Sequence, residues 1–334
     1  MRNDFYKNKK IFITGADGFI GSHLVQELIS QGADLRCLTY YNSWNNLGWL
    51  KDLSKGELEA IEIIKGDIRD PDLVRKAVAD VDHIFHLSSL IAIPYSYDAP
   101  VSYVETNISG ALNLLVASRN SNRLQSFLHV STSEVYGSAQ KIPINEDHPL
   151  VGQSPYSASK IGADKMVESF NLSFGVPVVT ARPFNTYGPR QTARAVIPTI
   201  ISQLISGSKT LRLGSLTPTR DFNYVTDTVK GMTEILRNES LIGEVVNIGS
   251  GEEWSILETV NLIESLMGIE IDIVSDQERI RPDDSEVNRL LADNSKLLNN
   301  TNWTREVSFE SGLKKTIEWI EKNIDKFDVK EYSK

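Results

Sequence analysis

Short β-branched runs alternating with helix-periodic stretches, a glycine-rich turn between the first run and the first helix, and a change of texture past residue 184 together predict an α/β protein. The expected fold is a Rossmann-type doubly wound parallel sheet followed by a smaller mixed α/β C-terminal lobe. Strands are expected at residues 10–14, 35–39, 60–65, 83–87, 126–131 and 176–181, and helices at 20–31, 71–79, 102–120 and 156–174. Strands that alternate with helices build βαβ units, whose crossovers cover both faces of a parallel sheet.

The stretch 184–224, and again the chain after 251, carries scattered prolines, short strands and isolated helices, with one further strand expected at 244–248. A chain that leaves the sheet and returns once to complete it accounts for this pattern. One unit is therefore expected to combine residues 1–183 with 225–250, and the other 184–224 with 251–334.

Composition narrows the partners. The formal charge of −9 over 334 residues argues against nucleic acid and anionic membranes, both of which demand a basic face. The one cysteine, Cys37, excludes an internal disulfide and reads as core packing. No apolar run reaches the length of a membrane span, and the first ten residues are polar, so a cytoplasmic protein is expected. The histidines, among them His23, His83, His86 and His129, show no ligand spacing, and no metal site is expected.

The segment Ile11-Phe-Ile-Thr-Gly15-Ala-Asp-Gly18-Phe-Ile-Gly21 reads as strand, turn and helix start. Gly15 permits the tight turn, Gly18 the approach of backbone N–H groups to a pyrophosphate, and Gly21 close packing of helix on strand. Phe19, Ile20 and Gly21 open a helix whose N-terminus faces the phosphates. Asp67 and Ile68 follow the third strand, where a carboxylate and an amide can read an adenine edge. Leu87, Ser88 and Ser89 end the fourth, where small residues let a cofactor pass. The unit 1–183 with 225–250 is thus read as dinucleotide-binding, and 184–224 with 251–334 as substrate-binding. The second strand ends Thr39-Tyr40-Tyr41-Asn42-Ser43, without the carboxylate that would take a ribose hydroxyl and without an arginine for a 2′-phosphate. Tyr41 and Asn42 are the candidates there, and the sequence leaves NAD and NADP open.

Tyr156-Ser-Ala-Ser-Lys160 places a lysine one helical turn after a tyrosine, where its charge and that of a nicotinamide lower the phenol's pKa. Tyr6 and Lys10 share the spacing, so the setting decides: Tyr156 follows the fifth strand, and Ser154-Pro155 primes a helix start. The fifth strand runs into Ser131-Thr132-Ser133-Glu134-Val135-Tyr136-Gly137. Thr132 is the candidate hydrogen-bonding partner of the reacting oxygen. Glu134, with Ser133 beside it, offers a carboxylate to remove a proton from carbon next to a carbonyl.

On these segments, and on Arg182-Pro-Phe-Asn185-Thr-Tyr-Gly-Pro189-Arg190, the chain resembles the extended short-chain dehydrogenase/reductases of the NDP-sugar epimerase/dehydratase family along nearly its whole length. The resemblance implies a nucleotide-sugar substrate and a tightly held NAD or NADP regenerated in each turnover. In that family hexose 4,6-dehydratases carry an acid at the Glu134 position, whereas 4-epimerases generally lack one. Many dTDP-glucose dehydratases have Asp-Glu there; Ser133-Glu134 matches the GDP-mannose dehydratases, leaving one carboxylate as both base and acid. Three stretches, Tyr41-Asn-Ser-Trp-Asn-Asn-Leu-Gly-Trp49, Leu90-Ile-Ala-Ile-Pro-Tyr-Ser-Tyr97 and Gln191-Thr-Ala-Arg-Ala-Val-Ile-Pro198, look like the dehydratases that open legionaminic acid biosynthesis on nucleotide-linked N-acetylglucosamine. The family pattern further implies that Pro183 touches the cofactor, and that Tyr95, Ser96, Asn185, Arg190, Arg220 and Arg281 contact the sugar or its diphosphate.

The expected reaction oxidises C4 through Tyr156, removes the C5 proton and the C6 oxygen through Glu134, and returns hydride to C6, giving a 4-keto-6-deoxy sugar. The alternatives are a 4-epimerase or a 5,6-ene-forming dehydratase on the same fold, and beyond those a non-catalytic binding protein. The helices at 102–120 and 156–174 carry apolar residues on more than one face, including Leu112, Leu114, Leu115 and Val116, so a homodimer through a four-helix bundle, as relatives form, is expected.

Overall fold

The computed structural model describes residues 4–208, 210–276, 279 and 282–327. A seven-stranded sheet forms its centre. Six strands come from the first half: β1 (Lys10–Thr14), β2 (Asp34–Tyr40), β3 (Ile61–Gly66), β4 (His83–His86), β5 (Ser126–Val130) and β6 (Val178–Pro183). The strand Val245–Ile248 pairs with the outer side of β6, so the order reads Val245–Ile248, β6, β5, β4, β1, β2, β3, with every pairing parallel. The order reverses between β1 and β4, which opens a crevice at the C-terminal ends of those strands, the usual ligand position in such sheets.

Alternation within β1 shows how the two layers form. Ile11 and Ile13 point into one core beside Leu24, Val25 and Leu28 of the helix Phe19–Ser30; Phe12 points into the other, with Val74, Leu114, Leu115 and Val167. Burial on both faces is what the continuous apolar strands require. Cys37 lies fully inside the first core, where burial pushes its thiol up. Among the described residues no helix is long and apolar enough to cross a membrane.

Past β6 the chain builds small satellites. Asn185–Tyr187 pairs with Phe222–Tyr224 in parallel, Thr219–Arg220 pairs with Trp254–Ser255 antiparallel, and Thr210–Leu213 pairs with Asp272–Ser275 in parallel. The helices Val196–Ile205, Ile256–Met267 and Phe309–Lys322 cover them.

One expected helix takes a different form. Residues 102–120 do not make a plain α-helix; Pro100–Tyr103 and Gly110–Arg119 flank a π-helical stretch, Val104–Ser109. The wide turn carries the buried Asn107, which receives the Leu90 N–H at Oδ1 (2.8 Å) and donates to the Leu90 carbonyl (3.0 Å) and to Ser159 Oγ (2.9 Å). These side-chain bonds, and a fourth from Ser89 Oγ, compensate for the disturbed helical ladder. The apolar residues of this helix also sort differently from expectation: Leu114 and Leu115 are fully buried in their own chain, whereas Val116 is 47% exposed.

Candidate active site

The glycine turn follows from steric necessity. Gly15 has φ +70°, and a Cβ there would stand 2.9 Å from the Ser88 nitrogen, so only glycine lets the turn lie against the end of β4. A Cβ on Gly21 would collide with the Gly15 carbonyl oxygen. Gly18 is the N-cap of Phe19–Ser30 and has no side chain to cap it. The first N–H groups of that helix, at Phe19, Ile20 and Gly21, therefore point out of an uncapped N-terminus, the arrangement that binds phosphate. These residues fit a dinucleotide.

Thr14, the last residue of β1, ties the turn to β4. Its Oγ1 accepts from the Leu87 and Ser88 N–H groups, each at 3.1 Å, and its own hydrogen meets His86 Nδ1 at 2.9 Å. His86 stays neutral because burial, then His129 and Lys160, pull its pKa well down. Ser89 donates to Asn107 Oδ1 at 3.0 Å. Ile68 is buried under Gly110, while Asp67 is held by the Arg69 guanidinium, with contacts from 2.6 to 3.0 Å, which lowers its pKa. The Tyr41 N–H donates to the Gly66 carbonyl and its ring is exposed; Asn42 closes its own loop by donating to the carbonyls of Tyr40 and Asn46. Pro183 ends β6 in a buried position.

The helix Pro155–Phe174 starts at a capping box in which Ser154 and Ser157 satisfy each other's backbone N–H, with Pro155 in the first turn. Tyr156 and Lys160 then fall on one buried face. Lys160 Nζ donates to the Val130 carbonyl at 2.8 Å. Burial lowers the lysine to about 8, and Asp164 works against that fall. The Tyr156 phenol is raised, first by burial and then by the charges of Glu134, Tyr103 and Asp164, while the Thr132 hydroxyl pulls it down. Thr132 Oγ1 also accepts the Glu134 N–H at 3.2 Å and so caps the short turn Ser133–Tyr136. Thr132, Glu134, Tyr156 and Lys160 thus come together at the end of β5, and Ser133, between Thr132 and Glu134 in the chain, is buried.

The substrate-side residues scatter more widely. Tyr95 is half-exposed, and its ring stands 6.2 Å from that of Tyr103, which in turn stands 6.2 Å from Tyr156, so it joins the catalytic group through one intermediate ring. Ser96 faces inward and donates to the Ile93 carbonyl at 2.6 Å. Asn185 Oδ1 is buried with no protein donor, an acceptor site consistent with a ligand contact. Arg190, at φ +70°, is buried and donates to Ser22 Oγ at 3.2 Å, which sets it beside the first helix. Arg220 donates to the Thr219 carbonyl and to Glu286, whose own carbonyl accepts from Ser138. Arg281 lies outside the described residues.

The family model described as GDP-mannose 4,6 dehydratase matches residues 12–316. The chain belongs to that family. It is 35% identical over 314 residues to the low-salt glycan biosynthesis protein Agl12 of Haloferax volcanii, covering 92% of this chain and 97% of the relative. It is 32% identical over 322 residues to a dTDP-glucose 4,6-dehydratase of an Actinoplanes species, covering 94% and 98%. Among solved structures, a variant UDP-glucuronic acid 4-epimerase of Bacillus cereus, in complex with UDP-4-deoxy-4-fluoro-glucuronic acid and NAD, superposes with a TM-score of 0.85 at 30% identity, covering 94% of this chain and 99% of that one. Proteins similar to this GDP-mannose 4,6-dehydratase family chain thus include both dehydratases and 4-epimerases.

The structure of this family member also brings up residues that sequence reading passed over. Asp164 is buried one turn beyond Lys160 and receives Arg182 Nη2 at 3.0 Å and Nε at 3.2 Å; His129 Nε2 stands 3.3 Å from its other oxygen. The spacing of Asp164 from Lys160 was a signal available in the sequence, as was the arginine heading the Arg182-Pro-Phe-Asn185 motif. Asp17, inside the glycine turn, accepts the Tyr40 N–H at 3.3 Å and so brings a carboxylate to the end of β2. No local pattern announces that placement, nor the role of Asn107.

Proposed function

We propose that this chain is an NDP-sugar 4,6-dehydratase acting on a nucleotide-linked N-acetylglucosamine and yielding its 4-keto-6-deoxy derivative. The observation that carries the choice over a 4-epimerase is Glu134, a carboxylate whose charge bears on the Tyr156 phenol and whose N–H is fixed to Thr132. A 4-epimerase needs no base at C5, whereas elimination across C5 and C6 does.

A bound nicotinamide supplies a hydride acceptor for C4 and a donor for C6. The protein's own residues handle the protons. Tyr156 takes the proton of the C4 hydroxyl, with the Lys160 ammonium stabilising the phenolate and Thr132 orienting the oxygen. Glu134 removes the acidified C5 proton and delivers a proton to the departing C6 oxygen, with Ser133 behind it, and a proton from solvent returns to C5 as C6 takes the hydride. Asn185 is the candidate for a sugar or phosphate contact through its buried acceptor. The N-acetylglucosamine assignment and the link to legionaminic acid rest on the likeness of the 41–49, 90–97 and 191–198 stretches.

Asp17 supports NAD over NADP. Its carboxylate stands at the end of β2, where an acidic residue takes ribose hydroxyls and where a 2′-phosphate would meet like charge. The exposed Val101, Val104, Val116, Leu172 and Phe174 on the two long helical segments support a homodimer through a four-helix bundle.

Mass spectrometry of products from a panel of NDP-sugars tests the reading. A product lighter than the substrate by one water supports dehydration; a product of unchanged mass makes the enzyme an epimerase.

A further inference from the structure

Behind the catalytic tyrosine and lysine lies a polar seam that the reaction as described does not use. It crosses the sheet from Thr14 on β1 to His86 on β4 and His129 on β5, whose rings lie 5.4 Å apart, and then passes to Asp164 on the catalytic helix and Arg182 on β6. All five residues are almost wholly buried. The seam is not saturated: His86 Nε2, both nitrogens of His129 and Asp164 Oδ1 lack a well-aligned hydrogen-bond partner. Buried polar atoms are rarely left so without a reason, because each costs free energy.

Asp164 is the centre of this seam. One of its oxygens is committed to Arg182, while the other faces His129 on the helix face that also carries Lys160. Among the described residues the lysine has one hydrogen bond, to the Val130 carbonyl. An ammonium with so little solvation needs a compensating negative charge to remain an ammonium.

We infer that Asp164 is a positioning residue for the reaction: it supplies the buried counter-charge that keeps Lys160 protonated beside Tyr156, and Arg182 sets how much of that charge the lysine feels. The inference rests on Tyr156 and Lys160 acting as assigned above, and it holds for a dehydratase and an epimerase alike. The titratable and charged groups around the lysine are Tyr156 and Asp164 on its own helix, His129 on β5, His86 on β4, Arg182 on β6, and Glu134 on the turn after β5. Burial drives the lysine towards its neutral form and Asp164 drives it back, consistent with the fall to about 8 being no larger. The two buried histidines stay neutral and add no charge of their own at working pH.

The two ends of the ion pair predict opposite effects, which a packing role would not. In Asp164→Asn the lysine loses its counter-charge and deprotonates at lower pH, by about 1–3 pH units for loss of an adjacent opposite charge. In Arg182→Gln a competing cation disappears, and the lysine deprotonates at higher pH than in the wild type. The measurement is the NMR titration of lysine side chains in full-length protein carrying 13Cε-lysine, with the Lys160 signal identified by its absence in Lys160→Met. Should Asp164→Asn fail to fold, Asp164→Asn/Arg182→Gln removes both partners of the Asp164–Arg182 ion pair together and is compared with Arg182→Gln alone; the double variant must titrate lower. A midpoint that is unchanged or raised on loss of Asp164, or lowered on loss of Arg182, overturns the inference. In the dehydratase assay the basic limb of the pH profile follows the same two directions. Because the titration needs no substrate, a chain that turns over no NDP-sugar contradicts the functional reading and leaves this test intact.

Discussion

The hydroxyl of Thr132 serves two neighbours at once: it accepts the Glu134 N–H at 3.2 Å, and it pulls down the pKa of the Tyr156 phenol that burial raises. In the proposed mechanism the base for the C4 hydroxyl and the base for the C5 hydrogen thus both neighbour one residue at the end of β5. Neither position tolerates independent drift, because a misplacement of about 1 Å can cost on the order of a hundredfold in rate.

Tyr156→Phe removes the phenolic oxygen and leaves the buried ring against Tyr103 in place. We expect the variant to bind an NDP-sugar with wild-type affinity by calorimetry. Its turnover should fall by about 10²–10⁴-fold, the usual contribution of a positioned acid–base group. Retention of near-full activity would remove Tyr156 from the chemistry.

Cofactor choice is assigned to Asp17. Wild-type protein should bind NAD more tightly than NADP, and Asp17→Asn should narrow the preference by at least about 1 kcal/mol, the value of one like-charge contact near 4 Å in a solvated setting. Fluorescence titration of cofactor-stripped protein with each nucleotide measures it. A wild type that prefers NADP contradicts the assignment.

His83 couples stability to acid. Burial lowers it to about 4, below its ordinary value near 6.5, so the folded chain resists a proton that the unfolded chain accepts. Its stabilising effect is complete above pH 6.5 and is lost as the pH falls towards 4. At pH 5 the loss reaches about 2 kcal/mol. In His83→Gln, which can still meet Ser126, the decrease in urea-unfolding free energy from pH 7 to pH 5 should be smaller by that amount. An equal decrease in both proteins would show that His83 does not titrate as described.

Assembly is checked by light scattering. The homodimer predicts twice the chain mass of 37.3 kDa, and Val116→Arg, placed at an exposed apolar position, should yield monomers. A wild-type monomer at micromolar concentration contradicts the bundle.

What the sequence revealed, and what it concealed, divides along local and non-local physics. The β1 turn and the start of the catalytic helix were legible because Gly15, Gly18, Ser154 and Pro155 act on their own backbone. The six strands of the first half appear within about two residues of expectation, since alternation and β-branching are local signals. The π-helical turn at Asn107 was not legible: its composition is ordinary for a helix, and the cause is Leu90 and Ser159, distant in sequence. Leu114 and Leu115 count in the sequence among apolar residues on more than one helix face, because amphipathic periodicity cannot show that the neighbouring helices and the sheet close over both. Asp17 escaped notice for a related reason. Its carboxylate lies inside the glycine turn, well before β2 in the chain, and reaches the end of β2 only because β1 and β2 are neighbours in the sheet.

The most direct test of the account is Glu134→Gln assayed with an N-acetylglucosamine nucleotide in heavy water. In the wild type the product should lack one water and carry deuterium at C5, because the proton removed there exchanges with solvent. The variant should still bind cofactor and sugar and should still oxidise C4, so reduced nicotinamide absorbance accumulates while water loss falls by about 10²–10⁴-fold. A Glu134→Gln protein that dehydrates at close to the wild-type rate would contradict the central claim, and wild-type product of unchanged mass would make the enzyme an epimerase.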